Sequence, residues 1–389
     1  MNRGDGRVVI HNREFFTKES VEFRAEKYGF SDPLPLELFL WDMEIAAHIQ
    51  RESDTIVLKG GAAAQLHLPT ELQRGSVDVD LIGSVDKGEI EEMVKKVESD
   101  LNDVKFRPHS PSAPTVSVPL STYYVEVPSI IPREDRENLE IKAEILMEDV
   151  KLPTVTVDEV ETFALRTSQL RCYGPHVLIG DKMLTLAQKT VGMIRSEDYP
   201  KQIYDIVWLL STHGIDEDGF REIMEAADVL TPIEVGYRGM DVGVSEVMDD
   251  IQETMEAYAA IDTGIADRSV KREVSNFQQF LVASSQRRPW HEWSSRSLQI
   301  RFVASLLAHV ERGQISPSEA SDMLSKTLEM SEALGRIPGA EVGRIRVELM
   351  GLLERRIPYF RELRGKPLPR VFWEVVNTKN VERIGGLLP

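Results

Sequence analysis

The sequence predicts an α+β protein, with strands and helices interleaved over residues 1–160 and helices from there to the end. Three observations carry that expectation. The stretch Ser76-Val77-Asp78-Val79-Asp80-Leu81 alternates polar and apolar residues with a period of two, as a strand does. Thr55–Leu58, Tyr123–Val127 and Leu139–Leu146 read as further strands. From Val157 onward the apolar residues recur at helical spacing. A chain of 389 residues is long for one core, so more than one domain is expected. The segments expected are 1–160, a helical part 161–215 and a helical C-terminal domain 216–389.

Composition narrows the class. The content of 42% apolar and 28% charged residues is that of an ordinary globular protein. A single cysteine, Cys172, excludes an internal disulfide and a multi-thiolate zinc site. Residues 1–20 lack the apolar run of a signal peptide, and no later stretch is long and apolar enough for a membrane span, so the chain is expected to be cytoplasmic, without a membrane partner. The formal net charge of −18 argues against broad, non-specific nucleic-acid binding but leaves room for a local basic patch.

In chain order, Ser20-Val21-Glu22-Phe23 starts a helix that Pro33 and Pro35 interrupt, and Leu36–Ile49 forms a second. Both read as core. Thr55–Leu58 then runs into Lys59-Gly60-Gly61 and Ala62-Ala63-Ala64, a strand, a glycine turn and a helix start. Such a turn lets the backbone approach a phosphate, and it is equally an ordinary tight connection. No Gly-Lys-Ser/Thr follows, so it is not a Walker loop. Glu89–Leu101 is an amphipathic helix, and residues 107–119, rich in Pro and Ser, read as a loop.

The alternation around Asp78 and Asp80 places two carboxylates on one strand face. Same-face neighbours stand about 6–7 Å apart, close enough to share a divalent cation or a pair of cations about 3.5–4 Å apart. Acidic residues on an exposed strand face are common, so the pair alone carries two readings. In Leu139–Leu146, Glu140, Lys142 and Glu144 share the polar face; Glu144 is the candidate third acid, with Glu140 its rival and a solvated strand edge the plain alternative.

Further on, Leu178–Ala187 and Lys201–Leu210 read as helices, the second ending near Gly214. Arg166, Arg171, Lys182, Lys189, Arg195 and Lys201 make the segment 164–204 the local candidate for phosphate contacts, although each charge singly reads as a solvated residue. Ser297–Val310 is amphipathic, and Ser316-Pro317-Ser318-Glu319 has the form of a helix cap. Gln286–Trp293 mixes arginines with tryptophans, as a nucleic-acid contact would and as a helix boundary with buried tryptophans would. The sequence shows no internal repeat and no low-complexity tract.

Together, Lys59-Gly60-Gly61, Arg74-x-Ser76-x-Asp78-x-Asp80, Lys142-x-Glu144, Asp181-Lys182 and Lys201-x-x-Tyr204-Asp205 resemble the AbiEii/AbiGii nucleotidyltransferase family over residues 20–212. The resemblance implies a polymerase-β-like nucleotidyltransferase core, a mixed sheet flanked by helices, with a helical region behind it. It implies transfer of a nucleotide from a nucleoside triphosphate to an acceptor, with magnesium or manganese. Several members are toxins of toxin–antitoxin pairs, including the MenT type, which act on the 3′ end of tRNA; an RNA acceptor and a cognate antitoxin are the partners implied. Residue by residue, it gives Asp78, Asp80 and Glu144 as metal ligands, and Lys59, Gly60, Gly61, Ser76 and Lys182 as the nucleotide-binding set. Asp205 supports the same site. Two-ion chemistry needs at least three acids, which makes Glu144 the critical member. Ala62 stands where the family usually has a hydroxyl residue, and Gln202 where many members have an acid.

Overall fold

The structure is a computed structural model, and it describes residues 9–109, 118–134, 137–167, 169–193, 195–353 and 358–387. The chain forms two compact units, one of residues 1–178 with 277–287, the other of 179–276 with 288–389.

The first unit begins with two helices, α1 (Lys18–Tyr28) and α2 (Leu34–Glu52). Thr17 caps α1 through its hydroxyl, and Gly29 closes it in the left-handed conformation at φ 78°. Helix α2 is buried along its whole length from Pro35 to Gln50. Then come β1 (Val57–Lys59), α3 (Gly60–Leu66), β2 (Asp78–Ile82), α4 (Lys87–Leu101) and β3 (Lys105–Pro108). A reciprocal capping box between Asp86 and Glu89 starts α4. The strands β4 (Leu120–Pro128), β5 (Asn138–Leu146), β6 (Thr154–Val157), β7 (Val160–Glu161), β8 (Arg166–Thr167) and β9 (Leu170–Tyr173) follow.

Seven of these form one mixed sheet in the order β3-β4-β5-β2-β1-β9-β6, and β7 and β8 form a small separate ribbon. The β2–β5 and β1–β9 pairings are parallel and the rest antiparallel. In β4 and β5 every second residue is buried, which puts Val125, Val127, Ile141, Ala143 and Ile145 on the core face.

Two regions depart from expectation. The strand Lys105–Pro108 enters the segment 107–119 expected as a loop, and residues 154–173 supply four short strands, the last three of them in the stretch beyond Val157 where helix was expected. These segments (KFRP, TVTV, VE, RT, LRCY) span two to four residues, too few for a period to show. They complete the sheet, so the first unit runs past the expected boundary at 160 to Leu178. Residues 110–117 of the expected loop and residues 1–8 lie outside the described residues.

A buried carboxylate fastens the N-terminal segment to α2. Glu44 accepts from the backbone N–H groups of Ile10 (2.6 Å) and His11 (3.1 Å), from His11 Nδ1 (2.6 Å) and from His48 Nε2 (3.1 Å). His11 Nε2 meets Thr167 Oγ1 at 2.8 Å. Burial alone would raise the Glu44 pKa, but the His11 and His48 bonds outweigh it and bring it from 4.5 to about 2.

The second unit is helical among its described residues: the end of α5 (Pro175–Leu184), α6 (Tyr199–His213), α7 (Glu217–Arg238), α8 (Val244–Ala259), most of α9 (Arg268–Leu281), α10 (Trp290–Glu311), α11 (Pro317–Leu334), α12 (Gly339–Leu352), α13 (Phe360–Leu363), α14 (Leu368–Val375) and α15 (Val381–Gly385). Helix α10 packs on α8 and α14 and carries much of this core. The Ser316–Glu319 box caps α11 as expected. No helix among the described residues is long and apolar enough to cross a membrane.

The Glu44 node has a measurable consequence. A carboxyl lowered in the folded state stabilises above its unfolded pKa, and that contribution is lost as pH falls towards the folded value. A shift from 4.5 to about 2 corresponds to roughly 3 kcal/mol. Glu44→Gln is expected to lower stability at pH 7 by about 2–3 kcal/mol in urea unfolding. The gap to the unmodified protein should narrow below about pH 4.5.

Candidate active site

Four strands bring polar residues of the sheet into one row. β1 pairs β2 so that Lys59 lies opposite Asp80, and β2 pairs β5 so that Asp80 lies opposite Glu144. β4 adds Thr122 opposite Glu144. The flanking residues Leu58, Val79, Leu81, Ala143 and Ile145 are all buried, so the row Lys59–Asp80–Glu144–Thr122 occupies the other face. One step along, Asp78 lies opposite Lys142, and Lys142 opposite Tyr124.

The glycine turn sits against this row. Gly60 has φ +69°, and a Cβ built there would overlap Asp80 Oδ2 and lie 2.8 Å from its Cγ. Only a glycine lets the chain leave β1 with Asp80 so close. Gly61 faces the segment before β2: a Cβ there would lie 3.0 Å from an Arg74 guanidinium nitrogen and 3.1 Å from Ser76 Oγ. Arg74 and Ser76 are both buried, and Gln65 ties that segment to α3 by accepting from Arg74 N–H at 2.9 Å. The hydroxyl absent at Ala62 leaves a methyl that is fully buried.

Glu144 is hydrogen-bonded within the sheet. Lys142 Nζ donates to its Oε2 at 2.6 Å, and Thr122 Oγ1 donates to its Oε1 at 3.2 Å. Burial alone would lower the Lys142 pKa, yet Glu144, Asp78 and Asp80 together hold it above the usual lysine range. The fields of the three acids therefore converge on one ammonium. Glu140, the rival third acid, pairs instead with Arg107 and lies opposite Glu126.

A fourth acid joins this field. Asp42 of α2 is fully buried, and neither of its oxygens has a hydrogen-bond partner among the described residues. Its carboxyl is pushed well above the usual range, by burial first and then by the charges of Asp78 and Asp80. The signal in the sequence was a lone acid on the apolar stripe of Leu38, Ile45 and Ile49.

Among the described residues, no group of three His, Cys, Asp or Glu side chains is gathered as a metal site. The donor chemistry nonetheless fits a hard divalent cation. Asp78, Asp80 and Glu144 offer carboxylate oxygens on one sheet face, and the space they share already attracts a positive charge.

Lys182 and Asp205 belong to the second unit. They form an ion pair at 2.8 Å with both side chains almost wholly buried. Lys182 Nζ also donates to Gln202 Oε1 at 3.1 Å, so the residue that replaces a family acid still accepts from the lysine. The basic stretch is largely neutralised. Arg166 pairs with Glu159 and Glu161, Arg171 with Asp54, Lys189 with Glu253 and Lys201 with Asp198. Of the Gln286–Trp293 motif, Trp293 is buried, and the Arg296 guanidinium lies over the rings of Tyr204, Trp208 and Trp293 at 5.5, 4.6 and 5.9 Å. The buried-tryptophan reading holds for that residue.

A mixed sheet that turns through two glycines onto an Asp-x-Asp strand, with helices following, is the arrangement implied for a polymerase-β-like nucleotidyltransferase core. Residues 45–292 match the family model "Nucleotidyl transferase AbiEii toxin, Type IV TA system", more than half of the chain. The protein belongs to this AbiEii family and is a nucleotidyltransferase. The match runs well beyond residue 212, where the sequence resemblance ends. None of the curated proteins matches the chain. Among solved structures, it is similar to "MenT4, nucleotidyltransferase toxin Rv2826c from Mycobacterium tuberculosis H37Rv", with 13% identity over 79% of this chain and 99% of that one and a TM-score of 0.43. It is also similar to JHP933 from Helicobacter pylori, with 16% identity over 72% of this chain and 95% of that one and a TM-score of 0.39.

Two outcomes follow from this geometry. Gly60→Ala must adopt a positive φ and displace Asp80, so it should cost about 1–3 kcal/mol in thermal unfolding. Its nucleotide transfer should fall further than that of Gly61→Ala, where the opposing side-chain ends can move; equal effects would contradict the close approach at Asp80. Separately, Lys182→Ala leaves a buried Asp205 without its cation and should destabilise by about 3–5 kcal/mol. The double variant Lys182→Met/Asp205→Leu should recover most of that in the same measurement.

Proposed function

We propose that this nucleotidyltransferase uses magnesium or manganese to transfer a nucleoside monophosphate from a nucleoside triphosphate to the 3′ end of tRNA, as the cytoplasmic toxin of a toxin–antitoxin pair. The observation that carries the catalytic part is the row Lys59–Asp80–Glu144 with Gly60 packed against Asp80. It supports one face on which a glycine turn, a cation and several carboxylates meet. The antitoxin rests on the family description, which names a toxin of a type IV TA system, and the tRNA acceptor on the resemblance to MenT-type members.

In the reaction, the acceptor hydroxyl oxygen bonds to the α-phosphorus, the bond from that phosphorus to the bridging oxygen breaks, and pyrophosphate leaves. Asp78 and Asp80 would hold the divalent cation, with Glu144 as the third ligand. When bound, the cation neutralises the triphosphate and lowers the pKa of the attacking hydroxyl. Gly60 and Gly61 would form the turn that meets the triphosphate at the end of β1, their missing side chains making way for Asp80 and for Arg74 and Ser76. Lys59 places a fixed positive charge at the same turn, where preorganised charge is most effective. Within the second unit, Asp205 and Gln202 fix the position of the Lys182 ammonium.

A second reading keeps the chemistry and changes the acceptor to a small molecule or a protein hydroxyl. It is favoured by the ion pairs that neutralise most of the basic stretch 164–204 and by the net charge of −18. Incubation with labelled nucleoside triphosphates, magnesium and either total tRNA or an RNA-free cell extract separates the two. Asp80→Asn is expected to keep its fold and lose transfer by about a hundredfold or more, as removal of a metal ligand does. Labelling by Asp80→Asn at the unmodified rate would remove the catalytic assignment. Label found only on protein or small molecules would favour the second reading.

A further inference from the structure

Lys142 has no role in the reaction proposed above, yet its ammonium stands where the acids converge. It donates to Glu144 Oε2 at 2.6 Å and lies opposite Asp78 in the β2–β5 register. It is the one lysine of β5, and its neighbours on that face are Glu140 and Glu144. Glu144, bonded to Lys142 and Thr122, is not gathered with Asp78 and Asp80 into a three-acid group.

We propose that Lys142 is a tethered counter-cation of the acid row: it holds Glu144 and screens Asp78 and Asp80, and so competes with the divalent cation for the same carboxylates. The proposal rests on the reading of Asp78, Asp80 and Glu144 as the cation site. The physical basis is Coulombic. A unit charge fixed among three carboxylates lowers the attraction they offer a mobile cation. It also spares the empty site from the mutual repulsion of acids held on adjacent strands. Lys142 and Glu144 are both part-exposed, at 40% and 25% of their side-chain surfaces, which lets their bond break when a more highly charged ion arrives. The arrangement would leave the site weakly occupied by free cation and favour a cation that arrives with the triphosphate, whose phosphates supply further oxygen ligands.

Lys142 is thus a positioning residue, and its test reads cation affinity rather than turnover. The probe is Mn²⁺ alone, followed by electron paramagnetic resonance in titrations of the full chain, with Lys142→Met, Lys142→Arg and Asp80→Asn as variants and thermal melting as the check of folding. Lys142→Met keeps the length of the side chain and removes its charge. It should bind Mn²⁺ about fivefold more tightly or better, a modest factor because the pair is part-exposed. Lys142→Arg should stay within about twofold of the unmodified protein, since it keeps the charge. Asp80→Asn should bind more weakly. If Asp80→Asn weakens binding and Lys142→Met is unchanged or weaker, the counter-cation role is overturned and the carboxylate site stands. If neither Asp80→Asn nor Lys142→Met alters binding, the acids are not the cation site and both readings fall. Should Lys142→Met melt too early to titrate, Lys142→Gln gives the same charge removal at the same part-exposed position and is held to the same expectation.

Discussion

The site depends on strand register. Asp80 takes part in two pairings of opposite sense, antiparallel to β1 and parallel to β5, and each must be in step for Lys59 and Glu144 to flank it. A strand that slips by one residue turns all its side chains over. A slip of β2 would drive Asp78 and Asp80 into the layer now filled by Val79 and Leu81, which are 0% and 1% exposed. Burying two unpaired carboxylates there would cost many times what the slip could return. The apolar face of the sheet therefore sets the position of the acids on the polar face. The hydrophobic effect, which has no direction of its own, becomes directional through the two-residue period of the strand.

Register alone would leave the turn after β1 free to take other shapes. The close approach of Gly60 to Asp80 removes that freedom, because the positive φ and the missing side chain are both needed. Behind the turn, Arg74, Ser76 and Gln65 lock α3 to the segment that leads into β2. Arg74 Nη1 donates to Gly75 O at 2.6 Å, and Gly75 N–H donates to Leu281 O at 2.8 Å, which anchors the start of the acid strand from both sides. The glycine pair thus shapes the acid row, its missing side chains making way for Asp80, Arg74 and Ser76.

How much of this was legible follows from how local each feature is. The alternation of residues 76–81 and 139–146 is local, and it gave the acid face and the place of Glu144 on its strand. The glycine turn was visible as Gly60-Gly61, but its contact with Asp80 was not, because that contact joins residues twenty positions apart through strand pairing. The strands between Thr154 and Tyr173 were lost to their shortness. Asp42 was hidden inside a helix that reads as core, because its nearness to Asp78 and Asp80 comes from packing and not from spacing along the chain. The segment 164–204 reads as basic because partners such as Asp54 and Glu253 lie far from it along the sequence. A count of charges along a chain cannot show which are already paired.

The electrostatics of the acid row also shows what the fold tolerates. Asp42, Asp78, Asp80 and Glu144 influence one another or a common lysine, and Asp42 does so without a hydrogen bond among the described residues. A buried acid in that state is destabilising, and leucine would suit its surroundings better. Elsewhere the chain handles buried charge differently: Glu44 accepts four hydrogen bonds, Lys182 faces Asp205, and Arg296 lies against three aromatic rings. Glu44 and Lys182 are each met by hydrogen-bonding or ionic partners, whereas Arg296 keeps one buried guanidinium nitrogen without a hydrogen bond among the described residues and burial lowers its pKa to about 10. Asp42 has no hydrogen-bond partner among the described residues, and burial first and then the charges of Asp78 and Asp80 favour its neutral form.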